Sequence, residues 1–552
     1  MAVRLIFLAI CAIGLLCQRA PGADLETIDL AKQDWPRSAL QREVWTLPQP
    51  VSPMGVKSVI YGFKALGYFE LSKPRWDGQR LITEIFPPGY NHPIEYFVAL
   101  KTGGEPIKLG QRKYKSPFAK LGQQPKALVQ GHLSLPFVAT SWAYNNQAQI
   151  PVVFNALGEM VWALKVTMSG TLLDGPVIKK VTPTEYVLMG QHRTSILAVI
   201  DGRTGEIKRE FRAKDFFFHH DFQYFPESQE VAVLAHDCRT LPWWREFSPV
   251  FSGPMGWFNF FKLPRRSYDT SQIVKISLVT GKTNSIWSVY DNLNPQDHPN
   301  LALAHNMDQF IDIRDPSRYL EMMERPIYAK SRDGFECTMD WTHANSIRYY
   351  TGQGYLVSLR NLNRIVMIND SGKMEWSLGN DSDNTFVISD PKSRMGLQHD
   401  AWLVGTDQLM IFDNGSQYRA EFPHQHINRV VKYQMSNHEA NPVWSKDLPP
   451  PYNPIRGSVD PLNNGNVFVH MSSTMSTVPI RYLEIDGTSK QIVGQVSLFT
   501  NLFNHPVAAR PLDAIVDEHF LGDRPFAPKP PENKIGIIES QPPQQSSDRE
   551  VY

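Results

Sequence analysis

Between Cys337 and Leu362 the chain reads CTMDWTHANSIRYYTGQGYLVSLRNL, and His343, Asn345 and Arg360 within it are side chains that bind an anion or move a proton. Asn345 lies two residues after His343, so on an extended chain both side chains point to the same face. Arg360 closes the apolar run Tyr355–Leu359, which follows a Gly-Gln-Gly turn at Gly352–Gly354. A hairpin there returns the guanidinium to the His/Asn pair. The three then make a small positive pocket at a sheet end, suited to an oxyanion because a guanidinium offers a fork of donors to it. This pocket contains no further nucleophile.

Other histidines stand beside Asp, Asn or Gln: His219-His220-Asp221, His305-Asn306, Gln398-His399-Asp400 and His424-Gln425-His426. One alone reads as a satisfied structural residue; recurrence at long intervals suggests convergence on a shared centre. Imidazole ligates metals. The chain has no HExxH and no tight carboxylate–His spacing, however, and Asn and Gln are poor ligands, so no metal is expected. The nearest approach to a P-loop, Gly281-Lys282-Thr283, lacks its first glycine, with Ile276 in that place, and no GxGxxG follows a strand. The pattern favours nucleotide-independent chemistry on an oxyanion, one histidine acting as nucleophile or base.

The elements that must position these groups are β-hairpins. Six times a short apolar run is followed by a polar turn, mostly with Gly, and a second run that often contains Trp: Val152–Leu164, Leu197–Phe211, Ile273–Trp287, Ile365–Leu378, Val430–Trp444 and Tyr482–Val496. Further strand pairs lie between them, as at His220–Leu234 and Leu462–His470. Four strands per unit, repeated six times, predict an all-β, six-bladed β-propeller, in which residues recurring once per blade meet at a central channel. The strand-like runs Ser58–Leu71, Arg80–Phe86 and Ile94–Leu100 predict a β-rich region before it. The expected divisions are a signal peptide (1–22), this N-terminal region (23–125), the propeller (126–522) and a disordered Pro/Gln-rich tail (523–552).

With 56 basic and 55 acidic residues the net charge is +1, so nothing argues for nucleic acid or an anionic membrane as partner. Arg4 and the apolar run Leu5–Leu16, too short to span a bilayer, read as a cleaved secretory signal, and no later run suits a transmembrane segment. The expected location is periplasmic or extracellular. Cys238 and Cys337 remain in the mature chain, either as a disulfide or as two buried thiols. The aromatic, Pro-rich segment 239–267 reads equally as a binding rim, offering Trp243, Trp244, Trp257 and Phe258, or as a hydrophobic partner surface. Asp315–Met323 is the one expected helix. Asn369, Asn380 and Asn414 begin Asn-x-Ser sequons.

From His219 to Asp486 the motifs HHDFQYFP, DWTHANSI, SLRNLNRIVMI, WSLG, LQHDAWLV, LMIFDNG, NRVVKY and LNNGNVFV, taken in order, resemble the bacterial arylsulfate sulfotransferases. That resemblance implies a six-bladed propeller moving a sulfuryl group from a phenolic sulfate to a phenolic or other hydroxyl acceptor, ping-pong, through a sulfohistidine and without a cofactor. It implies His399 as nucleophile, His343 and Arg360 as catalytic partners, and His220 and Asn345 as sulfate-binding residues, with His219 an alternative to His220. Asp413 and Asn414 also match, and are expected to be a structural strand-end turn. The competing reading is a secreted, non-catalytic propeller that only binds ligands, since propellers host many functions; it leaves the His/Asn/Arg set without a purpose.

Overall fold

The computed structural model describes residues 39–522, except 119–124, 146–147, 165–166, 169–170, 173–174, 192–194, 214–215, 241–266, 295–326, 331–335, 338, 416–426, 454, 473–478, 500–508 and 517. The signal segment, the tail, most of the aromatic segment, the expected helix at Asp315–Met323, and His305, Asn306, His424 and His426 therefore lie outside the described residues. Among the described residues the structure is all-β, with short 3-10 turns and no α-helix. No helix there is long and apolar enough to cross a membrane.

Two sheets come first. One pairs Gln41–Thr46 with Arg80–Ile85 and Arg75–Asp77; the other orders His519–Gly522, Gly67–Leu71, Val56–Phe63, Pro93–Leu100 and Ile107–Lys113. The run Ser58–Leu71 is thus two strands joined by a turn, and a C-terminal strand completes this sheet.

Four-stranded antiparallel units follow. Their leading strands are Val177–Lys180, Phe218–Phe225, Ala344–Tyr350, His399–Val404 and Ser458–Pro461. Another sheet takes Ala509–Leu512 as the neighbour of Phe137–Asn145, and Lys126–Gly131 joins the sheet that begins at Ser458, so both segments are sewn into sheets made by distant parts of the chain. The His343 and His399 units are linked through the short strand Phe386–Val387. Each hairpin expected from the repeats forms, for example Ile365–Leu378 and Val430–Trp444. Alternating β-branched and polar residues with turn glycines are sufficient for these pairings.

Apolar cores fill the spaces between successive sheets. Val187, Leu197, Val233 and Ile276 meet in one; Trp287, Ile347, Val357 and Val366 in the next; Leu356, Ile411, Val431 and Tyr433 in a third; Phe412, Val459, Val469 and Leu483 in a fourth. Burying each such side chain contributes roughly 1.5–3 kcal/mol. The hairpin tryptophans fasten one unit to another: Trp162 Nε1 donates to Gly202 O at 2.9 Å and Trp444 Nε1 to Gly487 O at 2.8 Å.

Where the leading strands approach one another, a chain of alternating charges runs through the interior. Lys179 Nζ lies 2.6 Å from Asp221, Arg348 bridges Asp221 at 2.7 Å and Asp400 at 2.6 Å, and Arg510 bridges Asp400 at 2.6 Å and Asp460 at 2.9 Å. Each of these six residues comes from a different strand. With Asp221 3% and Asp400 3% exposed, screening by water is weak and a missing partner leaves an uncompensated buried charge. Arg348→Met is expected to lower stability by about 3–5 kcal/mol. Lys208→Ala, at the exposed Glu185 pair, is expected to cost about 1 kcal/mol or less. Urea unfolding of both variants measures the contrast, and equal small losses would remove the belt's structural role.

Candidate active site

The hairpin over Gly352–Gly354 forms, pairing Ala344–Tyr350 with Gly354–Leu359, and the Arg360 amide donates to His343 O at 3.3 Å. Arg360 opens a 3-10 turn, Arg360–Leu362, and is buried with its Nη1 donating to Asn361 Oδ1 at 2.9 Å. The segment entering the His399 strand is tied to this turn. Asn363 Oδ1 accepts from Leu397 N at 2.7 Å, Gln398 Nε2 donates to Leu359 O at 3.2 Å, and Asn345 Nδ2 donates to Gln398 O at 2.8 Å. Arg360, Asn345 and His399 are thereby held in one neighbourhood although His399 belongs to the next four-stranded unit.

His220 reaches the same place from an earlier sheet: its ring meets that of His343 at 4.6 Å between centroids, edge to face. Its neighbour His219 shares a proton with it, Nδ1 to Nδ1 at 3.0 Å, and packs instead against His236 at 4.4 Å, whose Nδ1 bonds Asp269 at 2.5 Å. Of the adjacent pair, His220 is therefore the one in contact with His343. Among the described residues, no three His, Cys, Asp or Glu are grouped so as to hold a metal ion.

Left-handed backbone occurs at several of these positions. His220, His343, Leu397, Asp400 and Arg456 have φ of 55°, 49°, 52°, 51° and 66°, values that side-chain-bearing residues hold only where the surroundings enforce them. Register shifts mark the same strand starts, between Phe218 and Phe222, Ala344 and Ser346, and His399 and Ala401. A bulge re-aims side chains that strict alternation would send to opposite faces.

His399 is 5% exposed. Burial, then the Arg360 charge and the nearby His343, hold its pKa well below the usual value, while the bond to Asn414 acts the other way. The ring is neutral, and its tautomer follows from its partners. Asn414 Nδ2 donates to Asn453 O at 3.1 Å and Arg456 O at 3.0 Å, which fixes that amide with Oδ1 toward the histidine. His399 Nδ1–H then donates to Asn414 Oδ1 at 2.7 Å, and the lone pair rests on Nε2, where the Arg456 amide donates to it at 3.1 Å.

Asn414 and Arg456 are the members of this arrangement that sequence reasoning missed. Asn414 was expected to be a turn residue; it is fully buried and bonded to the histidine, a position that also gives a glycan no access to its sequon. Its neighbour Asp413 does have the expected structural part, accepting from Gly396 N at 2.8 Å and Gly415 N at 3.0 Å and pairing with Arg429 at 2.7 Å. The readable signal was the Asp-Asn-Gly end of the strand paired with His399. Among the described residues, Asn345 Oδ1, also buried, accepts no hydrogen bond. With one Nδ2 proton on Gln398 O, that amide retains one N–H and an unused carbonyl.

Cys238 is disulfide-bonded, which settles its thiol as oxidised rather than free.

Comparison with known proteins places this geometry. The model of the family described as Arylsulfotransferase (ASST) matches residues 265–505, a span that holds His343, Asn345, Arg360, His399, Asn414 and Arg456 and leaves out His220. No curated protein matches. Solved structures that resemble the chain include a protein of unknown function from Bacteroides caccae, at 12% identity and TM-score 0.37, covering 68% of this chain and 98% of that one. Also similar are a catalytically inactive virginiamycin B lyase from Staphylococcus aureus with quinupristin, at 10% identity and TM-score 0.31, covering 68% and 99%, and Saccharomyces cerevisiae Sqt1, at 9% identity and TM-score 0.32, covering 69% and 88%. The structural likenesses are too distant to speak to function. The sequence match covers residues 265–505, less than half of the chain, and supports the resemblance to arylsulfotransferases carried by its motifs.

Proposed function

We propose that the protein transfers a sulfuryl group from a phenolic sulfate ester to a phenolic or other hydroxyl acceptor, without a nucleotide, through a sulfated His399. The observation that carries the reading is the His399 environment: a buried, neutral imidazole with its lone pair on Nε2, beside a buried guanidinium. The first supplies an unprotonated nucleophile and the second a fixed charge for the anion it attacks.

The reaction runs in two halves. Arg360, with donors from His220, His343 and the remaining Asn345 N–H, binds the sulfate oxygens. His399 Nε2 gives up the hydrogen bond it accepts from the Arg456 amide and attacks sulfur with that lone pair. The S–O bond to the donor phenol breaks, and its electron pair leaves on the phenolate oxygen, which takes a proton from His343. In the second half His343 takes the proton of the acceptor hydroxyl, that oxygen attacks sulfur, and the S–Nε2 bond breaks. Negative charge spreads over the transferring oxygens in both transition states, and fixed donors cost no reorganisation there.

The sheets described above are most economically a six-bladed propeller with this site at its centre. What supports the count is the charge belt, to which six strands contribute one residue each. The division at 126 follows from the same reading, whereas the last blade strand is Ala509–Leu512, because His519–Gly522 completes the N-terminal sheet. An exported location, periplasmic or extracellular, is supported by the signal-like N-terminus and the oxidised Cys238.

Incubation with p-nitrophenyl sulfate should release nitrophenolate and add one sulfuryl group to the intact mass. His399→Ala should abolish the adduct and lower turnover by at least about 10³-fold. Nitrophenolate release without any adduct in the wild type would refute the covalent route. Arg360→Met should lower kcat by about 10²–10³-fold, the range for loss of one main charge-stabilising donor.

The depressed pKa of His399 also sets a pH signature. Below the unfolded-state value near about 6.5, the unfolded chain binds a proton that the folded chain refuses. Its contribution to stability is therefore intact above that pH and is lost as pH falls toward the folded value. In ¹⁵N NMR the His399 ring should show no titration between about pH 6 and 8, and a midpoint in that range would contradict the neutral-nucleophile assignment.

A further inference from the structure

We infer that Asn414 is a positioning residue for transfer: its carbonyl fixes His399 in the Nδ1–H tautomer, and its neutrality keeps the sulfated imidazole a good leaving group. The inference rests on the sulfuryl-transfer reading and deepens it.

The geometry leaves one arrangement. Asn414 Nδ2 already donates to Asn453 O and Arg456 O, so Oδ1 faces Nδ1 and only a protonated Nδ1 bonds to it at 2.7 Å. The opposite tautomer would set a nitrogen lone pair against a carbonyl oxygen and place a hydrogen where the Arg456 amide donates. The asparagine is itself held rigidly. Asn428 Nδ2 donates to Asn414 O at 3.0 Å and to Asn453 O at 2.6 Å, and Asn428 Oδ1 accepts from Asn453 N at 2.7 Å. Gly415 follows at φ 62°, where a Cβ would lie 2.0 Å from Ile427 O, so the turn that presents Asn414 admits only glycine there.

The choice of an amide over a carboxylate has a chemical consequence. When Nε2 forms its bond to sulfur, Nδ1 keeps its proton and the ring becomes positive. A carbonyl solvates that charge without removing the proton. When the acceptor oxygen attacks, the S–Nε2 pair returns to Nε2 and a neutral imidazole departs. A carboxylate in the same place would stabilise the cationic ring, strengthening the nucleophile and making it a poorer leaving group. The amide thus favours easy passage in both directions, as exchange between two similar phenols requires. The other charged or titratable groups at His399 are Arg360 and His343, and Arg456 meets it through its amide.

The test uses Asn414→Leu and Asn414→Asp in the full chain. Both delete the donors to the Asn453 and Arg456 carbonyls; only Asp retains an acceptor for Nδ1–H. Asn414→Leu should lose the single Nδ1–H tautomer in ¹⁵N NMR and slow nitrophenolate release from p-nitrophenyl sulfate by about 10²–10⁴-fold, the upper figure matching wrong-tautomer loss in a catalytic triad, with little change in KM. Asn414→Asp should keep the tautomer and the first half-reaction, accumulate the sulfated enzyme, slow transfer to phenol, and bring an acid limb into the pH profile. Equal loss of the burst in both variants, or Asn414→Leu within about three-fold of wild type, would overturn the inference. Because the NMR arm needs no turnover, a wild type that shows the Asn414-dependent tautomer but no nitrophenolate release would refute the sulfuryl-transfer reading while leaving the tautomer assignment standing.

Discussion

The structure depends on a buried belt in which Lys179, Asp221, Arg348, Asp400, Arg510 and Asp460 alternate charge across six strands. Neutral contacts between these strands would tolerate sliding; charges in a low-dielectric interior do not, since each displaced partner leaves another uncompensated. The belt's internal tension is visible in Asp460, which burial raises to about 6 even though Arg510 opposes it. At the other end, Asp221 is held well below the carboxylate range by Lys179 and Arg348, against the effect of burial. The belt registers the strands, and through them the site.

The link is one residue long. Asp221 follows His220, and Asp400 follows His399. Each pair sits at a bulged strand start with a left-handed residue, His220 in one and Asp400 in the other. The bulge releases the pair from strict alternation, so a side chain anchored in the belt carries its neighbour to the site. Arg348 does the same for His343 and Asn345 from further along their strand. The strain at these positions is thus sustained by ion pairs rather than by apolar packing alone.

Much of the scaffold was legible because hairpins are local. Alternation and turn glycines lie within a dozen or so residues, and the six runs chosen from them all pair as read. His343, Asn345 and Arg360 were legible for the same reason, sharing one hairpin. His399 required comparison across distant motifs, because no local spacing connects it to Arg360; Asn363 and Gln398 make that connection only after folding. Asn414 stands at the strand end expected of it, but an Asp-Asn-Gly strand end is a sufficient turn signal by itself, and only the antiparallel pairing of the preceding strand with His399 reveals the bond to the histidine. The belt left a trace, Asp after His in two motifs, but Lys179, Arg348, Asp460 and Arg510 carry no local sign of their role. Arg456 contributes a backbone amide, which every residue but proline possesses, so its side chain held no information about it.

One cation does two things in this site. On the proposed reading Arg360 attracts the anionic substrate, and its charge adds to burial in keeping His399 unprotonated. These effects pull together in the protein alone and diverge on binding: a sulfate would offset the guanidinium and, by charge alone, make His399 more basic. Burial, the larger cause, persists when the anion is bound, and the carbonyl of Asn414 adds no negative charge to reverse it. A carboxylate there would pull the proton balance the other way at the moment the substrate arrives. The proposed nucleophile thus remains neutral by virtue of two features that substrate does not alter, its burial and the uncharged partner on Nδ1.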